Sequence, residues 1–357
     1  MRYVCGMVLT SEGFINASVG YEDGMVKEVA EGEVNDPVMR GYVLPTFIDA
    51  HTHLADLRAP LDMRMPLEEV VAPPHGLKHL YLRNARPSEI ARTFKMLSRR
   101  MARNGISRFI DFREGGAEGA KLLRSVGPHG SRPIVMGRPI SLRYDREEVE
   151  ELLVHVDGVG VSSMLDWDEG ELVALAEHVV KKGKMFALHV SERVREDIEK
   201  VLDLRPSFIV HMTKATIGDM EACRDADVPI VVCPRSNMFF GNTPPLADMI
   251  KSGAELALGT DNAMISMPDM LSEIEFAARI LRSQGVKDVS PVLKMAIAGG
   301  RLILNERDGI SIEPGTPCDF MVIRSRGGDP FTDILLRSGE RDVRMVCIGK
   351  RCWRGWR

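Results

Sequence analysis

Short apolar runs alternate along the chain with stretches in which apolar positions recur every three or four residues. The runs occupy residues 41–50 (GYVLPTFIDA), 107–113 (SRFIDFR), 133–137 (PIVMG), 156–163 (VDGVGVSS), 184–190 (KMFALHV), 207–212 (SFIVHM), 228–233 (VPIVVC) and 254–261 (AELALGTD). Near-continuous apolar runs of this length read as strands covered on both faces, as in a parallel sheet. The intervening stretches read as helices. In one of them Ile90, Phe94, Leu97 and Met101 share a face, with Ser88 as N-cap and Gly105 just past the end. Another, over 168–182, carries Leu172, Leu175, Ala176, Val179 and Val180 as its stripe and stops at Gly183. Eight such strand and helix units over about 250 residues match a (β/α)8 TIM barrel of the α/β class, expected here over residues 41–310.

The two ends break this pattern. Residues 1–40 and 311–357 read as short strands separated by turns such as EDG and NDP. A barrel brings its first strand beside its last helix, so the two flanks are expected to pair into one small composite, β-sandwich-like domain.

Composition narrows the class. A chain of 357 residues that is 44% hydrophobic and 27% charged can bury a sizeable core, which argues against disorder. Its formal net charge of -4 leaves no basic footprint for nucleic acid. No apolar run reaches the roughly 20 residues that span a bilayer. Ser11 and Glu12 interrupt the N-terminal MRYVCGMVLTSEGF before a signal-peptide core develops, so a cytoplasmic location is expected. The cysteines Cys5, Cys223, Cys233, Cys318, Cys347 and Cys352 form no Cys-x-x-Cys pair and are expected as free thiols, mostly buried. No repeat of solenoid period occurs. The sequence leaves room for a homo-oligomer.

The chemistry gathers at strand ends. His51 and His53 are one residue apart at the end of the first run, and alternation along a strand sends both to the same face. His-x-His alone is a weak motif. In a barrel, however, His189 in FALHVSE, His211 in FIVHMT and Asp261 in LALGTDN also end their strands, where the catalytic groups of this fold collect. Five metal-competent side chains would then ring one mouth. The remaining histidines have blander readings. His178 lies off its helix's apolar stripe and reads as solvated, while His129 and His155 fall in a loop and at a helix end. His75 and His79 belong to the proline-rich segment 54–86, whose length at the catalytic face suggests a lid or substrate wall.

At this point the sequence resembles the amidohydrolase superfamily, in particular its branch of cytosine, guanine and adenosine-derivative deaminases and chlorohydrolases. The motifs are LPTFIDAHTHL, HVSE, VVCPRSNMFFG, LALGTDNA and ISIEPGTPCDFMVI, which together span nearly the whole chain. The resemblance implies one divalent metal, zinc or ferrous iron, held by His51, His53, His189 and Asp261, with His211 beside the bound water as a further candidate ligand. Some relatives bridge two metals through a lysine at the end of strand 4. VGVSSM has no lysine there, and Lys184 starts the next strand at the wrong end, so a mononuclear site is expected. By the same resemblance, Asp261 takes a proton from metal-activated water, His211 orients the resulting hydroxide, and Glu192 passes a proton to a ring nitrogen.

Substrate residues are less marked. Nucleoside-type deaminases of the branch carry a histidine near the end of strand 4, where this chain has Val161, Ser162 and Ser163. The segment after strand 1 lacks the branch's tryptophan pattern and carries Met63, Met65, Arg58, Arg64, Lys78 and Arg83. Glu114, Arg235, Asn237 and His79 are the candidates for contact with a small-molecule substrate. The expected reaction is hydrolytic deamination of an amino-substituted heterocycle. The alternatives are hydrolysis of a cyclic amide or a carbon–chlorine bond, or a silent scaffold that has kept the barrel.

Overall fold

The computed structural model describes residues 1–127, 130–306 and 308–355; His129 lies outside them. Two sheets organise these residues. The larger is a curled parallel sheet of nine strands, running from Phe47–His53 through Ile106–Arg113, Arg132–Gly137, Gly158–Val161, Met185–Val190, Phe208–His211 and Ile230–Val232 to Leu256–Leu258. Its ninth strand, Asp261–Asn262, follows Leu256–Leu258 after two residues and pairs with Thr52 and His53 of the first. The eighth expected strand is therefore split, and its second piece brings the two sides of a TIM-barrel-like sheet together.

Gly259 makes this return possible. A Cβ there would sit 2.7 Å from His51 Cβ and 2.8 Å from His51 N. Next to it, the buried Asp49 carboxylate accepts from Thr260 N at 2.9 Å and Thr260 Oγ1 at 2.6 Å, across a sequence separation of 211.

Helices cover the outside as their stripes predict. The helix Pro87–Arg103 buries Ile90, Phe94, Leu97 and Met101. It starts ahead of Ser88, since Pro87, with φ already near the helical value, takes the first turn. The helix Glu169–Lys181 is capped by Asp168, whose side chain accepts from Glu171 N. No helix among the described residues is long and apolar enough to cross a membrane.

The second sheet has seven strands. Its order is Arg351–Arg354, Val343–Ile348, Phe320–Ile323, Met39–Pro45, Arg2–Thr10, Gly13–Glu22 and Met25–Glu31. It draws on both ends of the chain and carries its own cluster of buried side chains, among them Val4, Val19, Val43, Phe320 and Met345. Asp23 and Gly24, both at positive φ, make the two-residue turn between Gly13–Glu22 and Met25–Glu31.

Three sequence expectations need correction. Residues 41–45 pair with Arg2–Thr10 and Phe320–Ile323 in this second sheet, and the chain crosses to the barrel only at Thr46. The run GYVLPTFIDA is apolar throughout, so hydrophobicity alone does not mark the crossing. Cys347 and Cys352 stand opposite each other in adjacent antiparallel strands and form a disulfide, leaving Cys5, Cys223, Cys233 and Cys318 as buried free thiols. His178 is not solvated, because the neighbouring helix Arg146–Leu153 brings Glu150 Oε1 to 3.1 Å from Nε2, while Tyr144 Oη lies 3.1 Å from Nδ1.

Candidate metal and catalytic centre

The barrel strands deliver His51, His53, His189, His211 and Asp261 to one mouth. The ring centroid of His51 lies 4.9 Å from that of His53, 4.9 Å from that of His189 and 5.9 Å from that of His211. Asp261 Oδ1 is 3.3 Å from His51 Nε2 and 3.7 Å from His53 Nε2. Ligand atoms of His51, His53 and His189 lie within 4.8 Å of one another, and so do those of Glu192, His211 and Asp261. His211 and Asp261 adopt positive φ values of 81° and 61°. Left-handed backbone at a side chain other than glycine costs on the order of 1–3 kcal/mol and collects at sites the surrounding fold over-determines.

Neighbouring groups fix how the rings point. His189 Nδ1 lies 2.8 Å from the Val161 carbonyl, which turns its Nε2 toward the cluster. His53 Nδ1 lies 3.0 Å from the Phe112 carbonyl and 3.2 Å from Glu114 Oε1. Such partners set the tautomer and present the other nitrogen as a ligand. His51 Nδ1 is buried and, among the described residues, lacks a hydrogen-bond partner, while Nε2 faces Asp261 Oδ1 at 3.3 Å. An orphaned buried polar group costs about 1–3 kcal/mol, a cost that coordination would remove.

Electrostatics agree with a cation between these groups. Burial lowers the pKa values of His51, His189 and His211, and burial together with the charge of Lys78 lowers His53 to about 4. Neutral imidazoles are the ligating form. Burial alone would raise Asp261, yet the imidazoles of His51, His211 and His53 hold its carboxyl well below the usual range. The donor set of imidazole nitrogens and a carboxylate fits a divalent metal.

Glu192 stands beside this cluster, with Oε1 3.6 Å from His211 Nε2. Burial, then the nearby charge of Asp261, pushes its carboxyl up to about 8, so it carries a proton at neutral pH. The helix that begins in CPRSN supplies two further groups. Ser236 Oγ donates to Asp261 Oδ2 at 2.5 Å, and Asn237 Nδ2 lies 3.0 Å from His211 Nδ1. The sequence reading missed Ser236 altogether and placed Asn237 at the substrate.

A cavity of about 700 Å3, its open mouth included, leads to the cluster. Segment 54–86 does form part of its wall, through Leu67, Val71, Ala72, Pro73 and Lys78. None of the four expected substrate residues lines it. Arg235 is bound through N and Nε to the buried Glu273 carboxylate, at 2.8 and 2.5 Å. Glu114 lies behind His53, Asn237 behind His211, and His79 behind Arg138, with its Nδ1 3.4 Å from Arg138 Nη2. The side chains that do line the cavity include Lys78, Arg138, Ser162 and Arg193. Arg138 directly follows a barrel strand at its C-terminal end, which is the signal that could have found it. Lys184 lies as expected at the other end, donating to the Val156 carbonyl at 2.7 Å.

Comparison with known proteins agrees with this geometry. The chain is 32% identical over 354 residues to a provisionally named aminohydrolase of Methanothermobacter thermautotrophicus, covering 92% of this chain and 91% of the relative. It is 25% identical over 407 residues to a 5-methylthioadenosine/S-adenosylhomocysteine deaminase of Thermodesulfovibrio yellowstonii, covering 97% and 90%. The solved structure of a zinc-bound adenosine deaminase from Xanthomonas campestris superposes with a TM-score of 0.83 at 19% identity, covering 98% of this chain and 92% of that one, which speaks for a common fold. Residues 42–349 match the model of the amidohydrolase family, and with its histidines and aspartate gathered at the barrel mouth the chain belongs to that family.

Proposed function

We propose that this enzyme hydrolytically deaminates a planar amino-substituted heterocycle, releasing ammonia, with one divalent metal per chain, zinc in first place. The observation that carries the reading is Glu192, a carboxyl pushed up to about 8 and poised 3.6 Å from His211 at the edge of the metal-ligating cluster. His51, His53, His189 and Asp261 would hold the ion. When bound, it would bring the pKa of a coordinated water down to about 7.

The chain's own groups do the rest. Asp261, held ionised by its imidazole neighbours and by Ser236, receives a proton from the attacking water. His211, with Asn237 on Nδ1, turns Nε2 toward Glu192 and orients that water. Glu192 gives its proton to the ring nitrogen next to the reacting carbon, so charge does not accumulate there. Left as a carboxylate, it takes the proton of the new carbon-bound hydroxyl and relays it to the departing amine as the carbon–nitrogen bond breaks and the carbonyl forms. The proton held by Asp261 then restores Glu192. A cyclic amide would instead need a donor aimed at a carbonyl oxygen.

The names of the relatives, an aminohydrolase and a 5-methylthioadenosine/S-adenosylhomocysteine deaminase, support the same reaction class. A cytoplasmic enzyme with a small-molecule partner goes with this reading. So does a division into a small domain of both termini and a catalytic barrel, its first boundary moved to Thr46. The test is ammonia release by metal-loaded protein from a panel of aminated purines, pyrimidines, pterins and triazines. Opening of a lactam or liberation of chloride, with no ammonia from any of them, would leave a metal hydrolase but sink the deaminase.

A further inference from the structure

Two cations, Lys78 and Arg138, line one side of the cavity. Lys78, 3% exposed, places Nζ 2.7 Å from Glu114 Oε1. The other oxygen of the same carboxylate lies 3.3 Å from Arg113 Nη1. One carboxylate thus serves two cations, and burial of ions is tolerable only where charges are matched. Arg138 stands beside them and, among the described residues, has no carboxylate within ion-pair distance; its side-chain contact is His79 Nδ1 at 3.4 Å. His79 Nε2 lies 3.0 Å from the Val71 carbonyl, so that nitrogen carries the proton and Nδ1 is free to accept from Arg138. Burial, then the charges of Arg138 and Lys78, lowers His79 to about 3 and keeps it neutral. It orients the guanidinium without adding charge.

The other acids of the cavity are already engaged. Asp166 Oδ1 is 3.6 Å from Arg193 Nη2, whose Nη1 is 3.6 Å from Glu68. Glu196 accepts from Ser163 Oγ at 2.8 Å and from Ser191 N at 2.6 Å. Glu192 Oε1 faces His211 Nε2 at 3.6 Å. Arg138 is the cation left without a carboxylate of its own, and Lys78 beside it shares Glu114 with Arg113. A guanidinium presents a planar fork that suits carboxylate and phosphate oxygens, and an ammonium adds a point charge beside it.

We propose that Lys78 and Arg138 recognise an acidic substituent of the substrate, so that the heterocycle carries a carboxylate or phosphate while its amino group lies at the metal-ligating cluster. The inference rests on the deaminase reading for the ring, but the anion subsite can be tested without turnover. Calorimetric titration of the metal-loaded Glu192→Gln protein would compare two matched pairs: 2-aminopyrimidine-4-carboxylate with its carboxamide, and adenosine 5′-phosphate with adenosine.

In at least one pair the charged member should bind roughly 10- to 100-fold more tightly, the scale of a charge-assisted contact. The pair that shows the gap distinguishes carboxylate from phosphate. Adding Arg138→Met should close most of the gap, and Arg138→Lys should restore part of it. Lys78→Met leaves Glu114 paired with Arg113 and should narrow the gap as well. Equal binding within both pairs, or a gap that survives both Arg138→Met and Lys78→Met, overturns the proposal. A wild-type enzyme that releases no ammonia from any aminated ring while the gap persists sinks the deaminase reading and leaves the anion subsite standing.

Discussion

Glu192 Oε1 and His211 Nε2 face each other at 3.6 Å across the edge of the ligand cluster, one a carboxyl held protonated and the other an imidazole held neutral. Both owe their state chiefly to burial, which leaves Glu192 a proton to give and His211 without charge. Glu192→Gln keeps shape and polarity but removes the transferable proton. Turnover should fall by roughly 10²- to 10⁴-fold, while metal content and melting temperature stay near wild type. If the variant loses its metal, Glu192 is a ligand and the assignment is wrong.

Metal content is the second expectation. Protein reconstituted with zinc should hold close to one equivalent per chain by elemental analysis, and His51→Ala should hold none. Saturating metal should also raise stability, by about 2.7 kcal/mol at a hundred times the dissociation constant, an increment His51→Ala should lack. Two tightly bound equivalents would contradict the mononuclear reading.

Gly259→Ala tests the seam of the barrel. The added methyl would meet His51 Cβ at 2.7 Å and His51 backbone atoms at 2.8 and 2.9 Å, so His51 or the returning strand must move. Overpacking of this kind typically costs about 1–3 kcal/mol. Metal affinity should drop together with melting temperature. A variant as stable as wild type and with undiminished zinc binding would show that the seam is compliant.

His79 makes a prediction about acid. Its folded-state pKa is lowered to about 3 from 6.5, so between these values the unfolded chain binds a proton that the folded chain refuses. Its contribution to stability is present above about pH 6.5 and is lost as pH falls toward 3, by at most about 1.4 kcal/mol per pH unit. His79→Gln should flatten the acid limb of a melting-temperature profile. An unchanged slope would assign acid lability to other groups.

The barrel was legible because parallel strands buried on both faces, such as FIDAHTH and KMFALHV, have to be apolar runs. Their chemical residues then stand out at the ends. The cluster of His51, His53, His189, His211 and Asp261 follows from that regularity. What escaped notice depends on contacts between distant segments. Lys78 looks like one more surface lysine until its helix, Leu77–Asn84, brings it against Glu114. Arg235 sits in a motif yet pairs with Glu273 from another helix, a partner no local pattern announces. The bond between Cys347 and Cys352 was closer to reach, since Gly349 and Lys350 between them form a hairpin turn.

The split last strand has a consequence for the order in which the protein becomes competent. A ribosome delivers His51 and His53 early, but the contact that seats them against the far side of the sheet, between Asp49 and Thr260, waits for another 211 residues. Until that stretch has emerged, a nascent chain has histidines but lacks the carboxylate of Asp261 that completes the proposed ligand set. On that proposal, capture of an ion would report that synthesis has passed the final strand, and fragments truncated before it should remain metal-free in the cell even when their early strands have collapsed.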